Sequence, residues 1–146
     1  MVAMYWRFIM NNKIIVVVKG VILYNGKVLI IRRDDNDDVG AGTWECVGGK
    51  IDFGEGLEQA LKREVCEEVG ISIDVDKLLY ATTFKTDPLR QIVILTYKCI
   101  ATQNNVILSK EHSDYKWVAE NDFRELLHKP IIADMEKHNA IKSIFE

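Results

Sequence analysis

Cysteine is scarce in this chain, and its three copies, Cys46, Cys66 and Cys99, are scattered and odd in number. No CxxC pair occurs, so neither a zinc site nor a disulfide framework is indicated. Buried or half-buried free thiols in a reducing compartment are expected instead. Positive charge is also short. The formal net charge is −3, and no basic tract stands out. A general binder of polymeric DNA or RNA needs a dense Lys/Arg footprint, so that class is excluded. A small phosphorylated ligand stays open, because a metal ion can supply the missing positive charge. Long apolar runs are absent too. Met1–Met10 is apolar and aromatic but far shorter than the roughly 20 residues that span a bilayer. It also lacks the small-residue cleavage site of a secretory signal. With no targeting signal, a cytoplasmic location is expected and no membrane partner.

What is present is ordinary globular material. The chain has 146 residues, 48% hydrophobic and 28% charged, enough for one domain over 1–146 with a real core. Residues 1–10 precede the first strand-like run and read as an upstream extension, a vector-derived remnant or an extra edge segment. Ile14–Tyr24 and Lys27–Ile31 are rich in Val and Ile and are joined by Asn25-Gly26, the strongest short-range hairpin signal. Residues 32–42 read as a loop and 43–47 as a short strand that Gly48-Gly49 breaks. Leu57, Ala60, Leu61, Val65 and Val69 form one stripe of a helix over 57–69, closed by Gly70. Strands are expected over 78–85, 91–101, 106–108 and 116–118, with a short helix over 121–127 and a last helix from Pro130 to Ile144. The class is α/β, a mixed sheet with two or three helices.

The chemistry lies between Gly49 and Ile71. Glu64, Glu67 and Glu68 stand at i, i+3 and i+4, so their Cβ atoms lie about 5–6 Å apart on one helix face. Like charges so placed cost a helix a few tenths of a kcal/mol each. Hard oxygen ligands are what Mg²⁺ or Mn²⁺ prefers, and a bound cation turns that repulsion into attraction. Three carboxylates presented outward, opposite the apolar stripe, are therefore the expectation. Arg63 can reach Glu55, Glu64 and Glu67 and orient them without losing its charge. Gly48-Gly49 lets the backbone approach a ligand closely, and a carbonyl there can join a metal shell. An acidic helix face alone is usually solvated surface. Here, however, seven positions have fixed identity, a coincidence on the order of one in 10⁸ at a given start.

These residues resemble the Nudix box of the Nudix hydrolase (MutT-like) family: Gly49, then Glu55, then Arg63-Glu64-Val65-Cys66-Glu67-Glu68-Val69-Gly70-Ile71. The likeness extends over residues 14–127. It departs at Val47 and Val69, where many relatives carry Pro and Thr, and neither position is a metal ligand. The resemblance implies a Nudix fold, an α/β/α sandwich with a mixed central sheet. It implies hydrolysis of a diphosphate linkage in a nucleoside-diphosphate-type substrate, with Mg²⁺ (or Mn²⁺) held by Glu64, Glu67, Glu68 and the carbonyl of Gly48. Glu55 and Arg63 are then orienting residues, and the general base is Glu64 or the later carboxylate Glu111, with Asp114 a weaker choice. His112 reads as loop surface. Small relatives often dimerise, so a homodimer is open. A nucleoside triphosphate ranks slightly above ADP-ribose or a nucleotide sugar. The competing reading is a catalytically silent nucleotide-sensing or scaffold domain, against which the intact box argues. Trp44, Phe53, Phe84 and Tyr97 can stack on a base, but strand aromatics more often pack the core. Arg32 and Arg33 are candidate phosphate contacts, and Pro88 fits a turn.

Overall fold

The computed structural model describes residues 11–146, and the expectation for residues 1–10 lies outside them. A β-rich opening gives β1 (Lys13–Tyr24) and β2 (Lys27–Arg33). Asn25 and Gly26 both have positive φ, 49° and 75°, as a two-residue turn matching strand twist requires. Two short strands follow, β3 (Trp44–Glu45) and β4 (Val47–Lys50), and then α1 (Leu57–Val69). The long hairpin β5 (Ile73–Asp87) and β6 (Arg90–Ala101) comes next, turning at Pro88-Leu89. The chain closes with β7 (His112–Val118), α2 (Glu120–Leu126), α3 (Lys129–Lys137) and α4 (Ala140–Phe145).

The sheet is mixed, ordered β3-β2-β1-β6-β5, with β1 and β6 parallel and β7 paired to β2. What positions the site is a divergence along β1. Its C-terminal end pairs with β2 through Leu23 and Tyr24, while Val17–Gly20 pair with β4. Each face carries its own core. Val18, Ile22, Leu29 and Ile31 pack with Leu61, Val65 and Val69 of α1 on one side. Val21, Val28 and Ile30 pack with Phe123, Leu127, Met135, Ile141 and Ile144 of the C-terminal helices on the other. Each such fully buried aliphatic contributes about 1.5–3 kcal/mol. This is the expected α/β/α sandwich.

Several elements differ from the sequence expectation. Gly48 and Gly49 do not break a strand; they lie inside β4 and pair with Lys19 and Val18. An apolar stripe was not available to announce a strand made of two glycines. β5 begins five residues earlier than expected, and its ladder with β6 absorbs irregularities near Val75, Leu78 and Lys85. Residues 106–108 form no strand. The last helix is two, because Asn139 adopts a left-handed conformation (φ 55°) that Asn tolerates better than most residues. No helix among the described residues is long and apolar enough to cross a membrane.

Candidate active site

α1 is fixed at both ends by glycine. Gly56 is its N-cap, with its N–H donating to the Gln59 side chain at 3.3 Å. Gly70 ends it in the left-handed region, its N–H donating to the Cys66 carbonyl. The helix docks on the sheet through Ala60, Leu61, Val65 and Val69, all fully buried, whereas Leu57 is exposed.

Arg63 is the hub of the acidic groups. Its Nε and Nη2 donate to the two oxygens of Glu55 at 2.7 and 2.9 Å, a bidentate pair. Nη1 donates to Glu64 at 3.0 Å and Glu67 at 3.2 Å, and Nη2 also to the Lys50 carbonyl. Glu55 accepts a further bond from the Asp52 N–H at 2.7 Å. The Arg63 hydrogen bonds, helped by that N–H, hold the Glu55 carboxyl down at about 2. The Glu64 carboxylate lies directly on Gly49, where an added Cβ would come within 2.6 Å of it. Arg63, Glu55, Glu64 and Glu67 thus lie together, but of Glu64 and Glu67 only Glu67 is presented outward; Glu64 is 15% exposed and faces β4.

Glu68 corrects the expectation of three outward carboxylates. It is only 8% exposed and turns toward β4, accepting the Gly48 N–H at 3.2 Å. Leu61, Val65 and Glu68 stand at i, i+4 and i+7, so Glu68 continues the apolar stripe. Burial raises its pKa to about 7 against the pull of Lys19, His112 and the Gly48 N–H, with Glu45 adding to the rise. Gly48 itself has φ 152°, and a Cβ there would stand 2.0 Å from the Val18 carbonyl oxygen. Only glycine fits.

The segment after β6 runs along the end of α1. The Ile107 N–H donates to the Val69 carbonyl and the Ser109 N–H to the Glu68 carbonyl. This places Glu111 and His112 beside Glu68, and one ligand atom from each of the three lies within 4.8 Å of the others. His112 is therefore not loop surface. It opens β7 and is buried, with Nε2 3.1 Å from Glu45 Oε1 and Nδ1 without a partner.

Two further charged groups were not singled out from the sequence. Glu45 sits among Lys19, Arg33 and His112. Burial works to raise its pKa, but Lys19, His112 and Arg33 prevail and hold it at about 2. Lys19 projects from the middle of β1, its Nζ near the carbonyls of Cys46 (3.3 Å) and Gly48 (3.4 Å) and the Glu45 carboxylate (3.5 Å). A lysine within a Val/Ile run was the available signal. Lys19 and Glu45 also line a cleft of about 640 Å³ between the sheet and α3, whose walls include Tyr80, Phe84, Asp134 and Met135.

Of the four aromatic candidates, Tyr97 is core and Trp44 is half-buried. Phe53 is fully exposed and Phe84 about half so, on the wall of the cleft; neither belongs to the core clusters. Arg32 is held by Asp35 and Ser113, and Arg33 by Asp37 and Glu45. Cys46 and Cys99 are buried free thiols, and Cys66 is exposed.

Comparison with known proteins fits this geometry. A family model described as the NUDIX domain matches residues 15–138. The chain belongs to the Nudix family. It is 35% identical over 105 residues to a MutT-like protein of Streptomyces ambofaciens, covering 72% of this chain and 63% of that protein, less than two thirds of its length. It is 30% identical over 132 residues to the nucleoside triphosphatase NudI of Escherichia coli, covering 82% of this chain and 90% of that one. The crystal structure of a MutT protein from Methanosarcina mazei superposes with a TM-score of 0.76 at 26% identity, over 88% of this chain and 94% of that one. Nudix membership gives the box carboxylates a hydrolytic context.

Proposed function

We propose that this Nudix protein is a metal-dependent hydrolase of nucleoside triphosphates that cleaves a diphosphate linkage with water. The observation that carries this reading is the junction of two features. The carboxylates of α1 stand beside a cleft large enough for a nucleoside, and Lys19 and Glu45, which line that cleft, adjoin them through Gly48, His112 and Glu68. The 30% identity to a nucleoside triphosphatase over nine-tenths of that protein supports the triphosphate over a nucleotide sugar.

The residues suit a divalent cation. Glu68, Glu111 and His112 converge, Glu68 and His112 are buried, and His112 Nδ1 has no partner. Carboxylate oxygens with an adjacent carbonyl form the donor set that Mg²⁺ or Mn²⁺ takes. In this reading Glu64, Glu67, Glu68 and the Gly48 carbonyl hold the metal. A bound divalent cation offsets charge on phosphate oxygens and acidifies an attacking water. The protein's own part is orientation and proton transfer. Arg63 keeps Glu64 and Glu67 in place, and the bidentate grip on Glu55 keeps Arg63 in place. Glu64 or Glu111 accepts the proton of the water, as a carboxylate within reach of the reacting centre can.

The test is phosphate and pyrophosphate release from a panel of nucleoside triphosphates, oxidised nucleotides, ADP-ribose and nucleotide sugars with Mg²⁺ or Mn²⁺. Cleavage of triphosphates that EDTA and Glu67→Gln abolish is the expected result. Metal-dependent cleavage of nucleotide sugars alone would overturn the substrate. Nucleotide binding without any turnover would favour the sensing domain.

A further inference from the structure

We propose that Lys19 is a substrate-binding residue that contacts the phosphate attached to the nucleoside; this rests on the nucleotide reading above. The argument begins with where β1 puts it. Gly20 faces α1, where an added Cβ would meet Leu61, so Lys19 faces the opposite side of the sheet. In register across the strands stand Gly48 of β4, Lys19 of β1, Thr96 of β6 and Tyr80 of β5. Lys19, Thr96 and Tyr80 all line the cleft. Neighbouring strands are about 4.8 Å apart, so Tyr80 lies roughly 10 Å from Lys19 on one side. On the other side the next strand is β4, whose Gly48 N–H is bonded to Glu68. Lys19 therefore stands between the aromatic end of the cleft and the carboxylates. A ligand that puts its base among the aromatics and its distal phosphates at the carboxylates passes over this ammonium.

The contacts Lys19 makes within the protein do not account for it. All three are long, 3.3–3.5 Å, against the usual 2.9–3.0 Å for an N–H donor. Glu45 already has Arg33 at 3.3 Å and His112 at 3.1 Å. The Lys19 side chain is half-buried, 19% exposed, and a half-buried ammonium whose own contacts are all long gains from a further anionic partner. An ammonium is a compact charge on a flexible stem, suited to meet a phosphate as a point charge. The two arginines that the sequence offered for this role are held by closer partners: Arg32 by Asp35 at 2.8 Å and Arg33 by Asp37 at 2.9 Å.

The experiment measures, in EDTA, the affinity of the full chain for the four common nucleosides and their 5′-monophosphates by calorimetry. The expected result is that at least one monophosphate binds about tenfold or more tighter than its own nucleoside. Lys19→Met should erase that margin while leaving the nucleoside affinity in place, and Lys19→Arg should keep most of it. Because Lys19→Met leaves Glu45 with one cation fewer, the double variant Lys19→Met/Glu45→Gln is measured beside it, and the margin should be absent there too. An unchanged margin in the folded variants overturns the proposal, and so does an equal fall in affinity for nucleoside and monophosphate, which marks a structural role. If the wild type binds none of these ligands, with or without Mg²⁺, the nucleotide reading fails and takes the proposal with it.

Discussion

Replacing Glu68 by Gln should make the metal-free protein more stable and the enzyme nearly inactive. Burial puts the Glu68 pKa at about 7, against an ordinary 4.5. At about 1.4 kcal/mol per pH unit, ionising this group in the fold costs about 3 kcal/mol. The unfolded chain ionises it near pH 4.5, whereas the folded chain keeps the proton until about pH 7. The native state thus binds more protons across that window, and stability falls as pH rises through it. The deficit is complete above pH 7 and absent below 4.5. Glutamine does not titrate, and its carbonyl can still accept the Gly48 N–H. Its amide protons need an acceptor among Glu45 and Glu111, and failure to find one returns about 1 kcal/mol.

The net gain at pH 8 is then about 2–3 kcal/mol. At roughly 2–4 °C per kcal/mol for a chain of this size, the melting temperature rises by about 4–12 °C. The assay is urea and thermal unfolding of both proteins in EDTA at pH 8 and pH 5. The groups facing Glu68, namely Lys19, His112, Glu45 and Glu111, are common to both proteins, so the difference isolates this carboxyl. At pH 5 the difference should nearly vanish. Mg²⁺ should stabilise the wild type by mass action and the variant much less. Turnover should fall by about two orders of magnitude or more, the usual scale for losing a charge that acts on the transition state. A variant less stable at pH 8, or a gap equal at both pH values, refutes the buried-charge argument. Undiminished turnover refutes the metal-ligand role.

Glu45→Gln should act in the opposite direction. Its carboxyl is held near 2 rather than 4.5, so it contributes about 3 kcal/mol above pH 4.5. That contribution is lost as pH falls toward 2, so urea unfolding at pH 7 should show the variant weaker, with the gap closing below pH 4.5. Gly48→Ala should cost more than about 3 kcal/mol, because its Cβ meets the Val18 carbonyl and the Lys19 Cα, both backbone, and leaves a conformation that L-residues rarely adopt. Soluble yield and melting temperature check it, and a well-folded variant within about 1 kcal/mol of wild type would refute the steric argument.

The contrast between these residues explains what was legible in the sequence. Arg63, Glu64 and Glu67 sit on one helix, where a fixed 3.6-residue period converts spacing directly into proximity. Glu55 lies just ahead of that helix, within reach of the same guanidinium. The hairpin turn was equally local, since Asn25 and Gly26 need nothing distant to adopt positive φ. Glu68 is the exception on this helix: its charge suggests an exposed position, whereas its seven-residue spacing from Leu61 places it on the buried stripe. Lys19, Glu45 and His112 are a different case. They lie on β1, β3 and β7, and β2 brings the last two together by pairing Ile31 with Glu45 on one edge and Arg33 with His112 on the other. A strand's own pattern specifies which face is buried but not which distant strand it joins, or in what register.

That asymmetry follows the division of labour in the site. The groups assigned to metal binding and orientation belong mostly to one local segment, so their mutual geometry is set largely by the helix and by the β4 backbone packed against it. The groups that border the cleft come from five strands, the loop after β2 and α3, and their geometry exists only once the sheet is assembled. Glu45 ties the two sets together: it neutralises Lys19 on the cleft side, holds His112 beside Glu68 and Glu111, and is half of every buried ion pair between them. A change at Glu45 should therefore disturb ligand preference and carboxylate placement at once. A change at Arg63 should disturb the carboxylates while leaving the cleft intact.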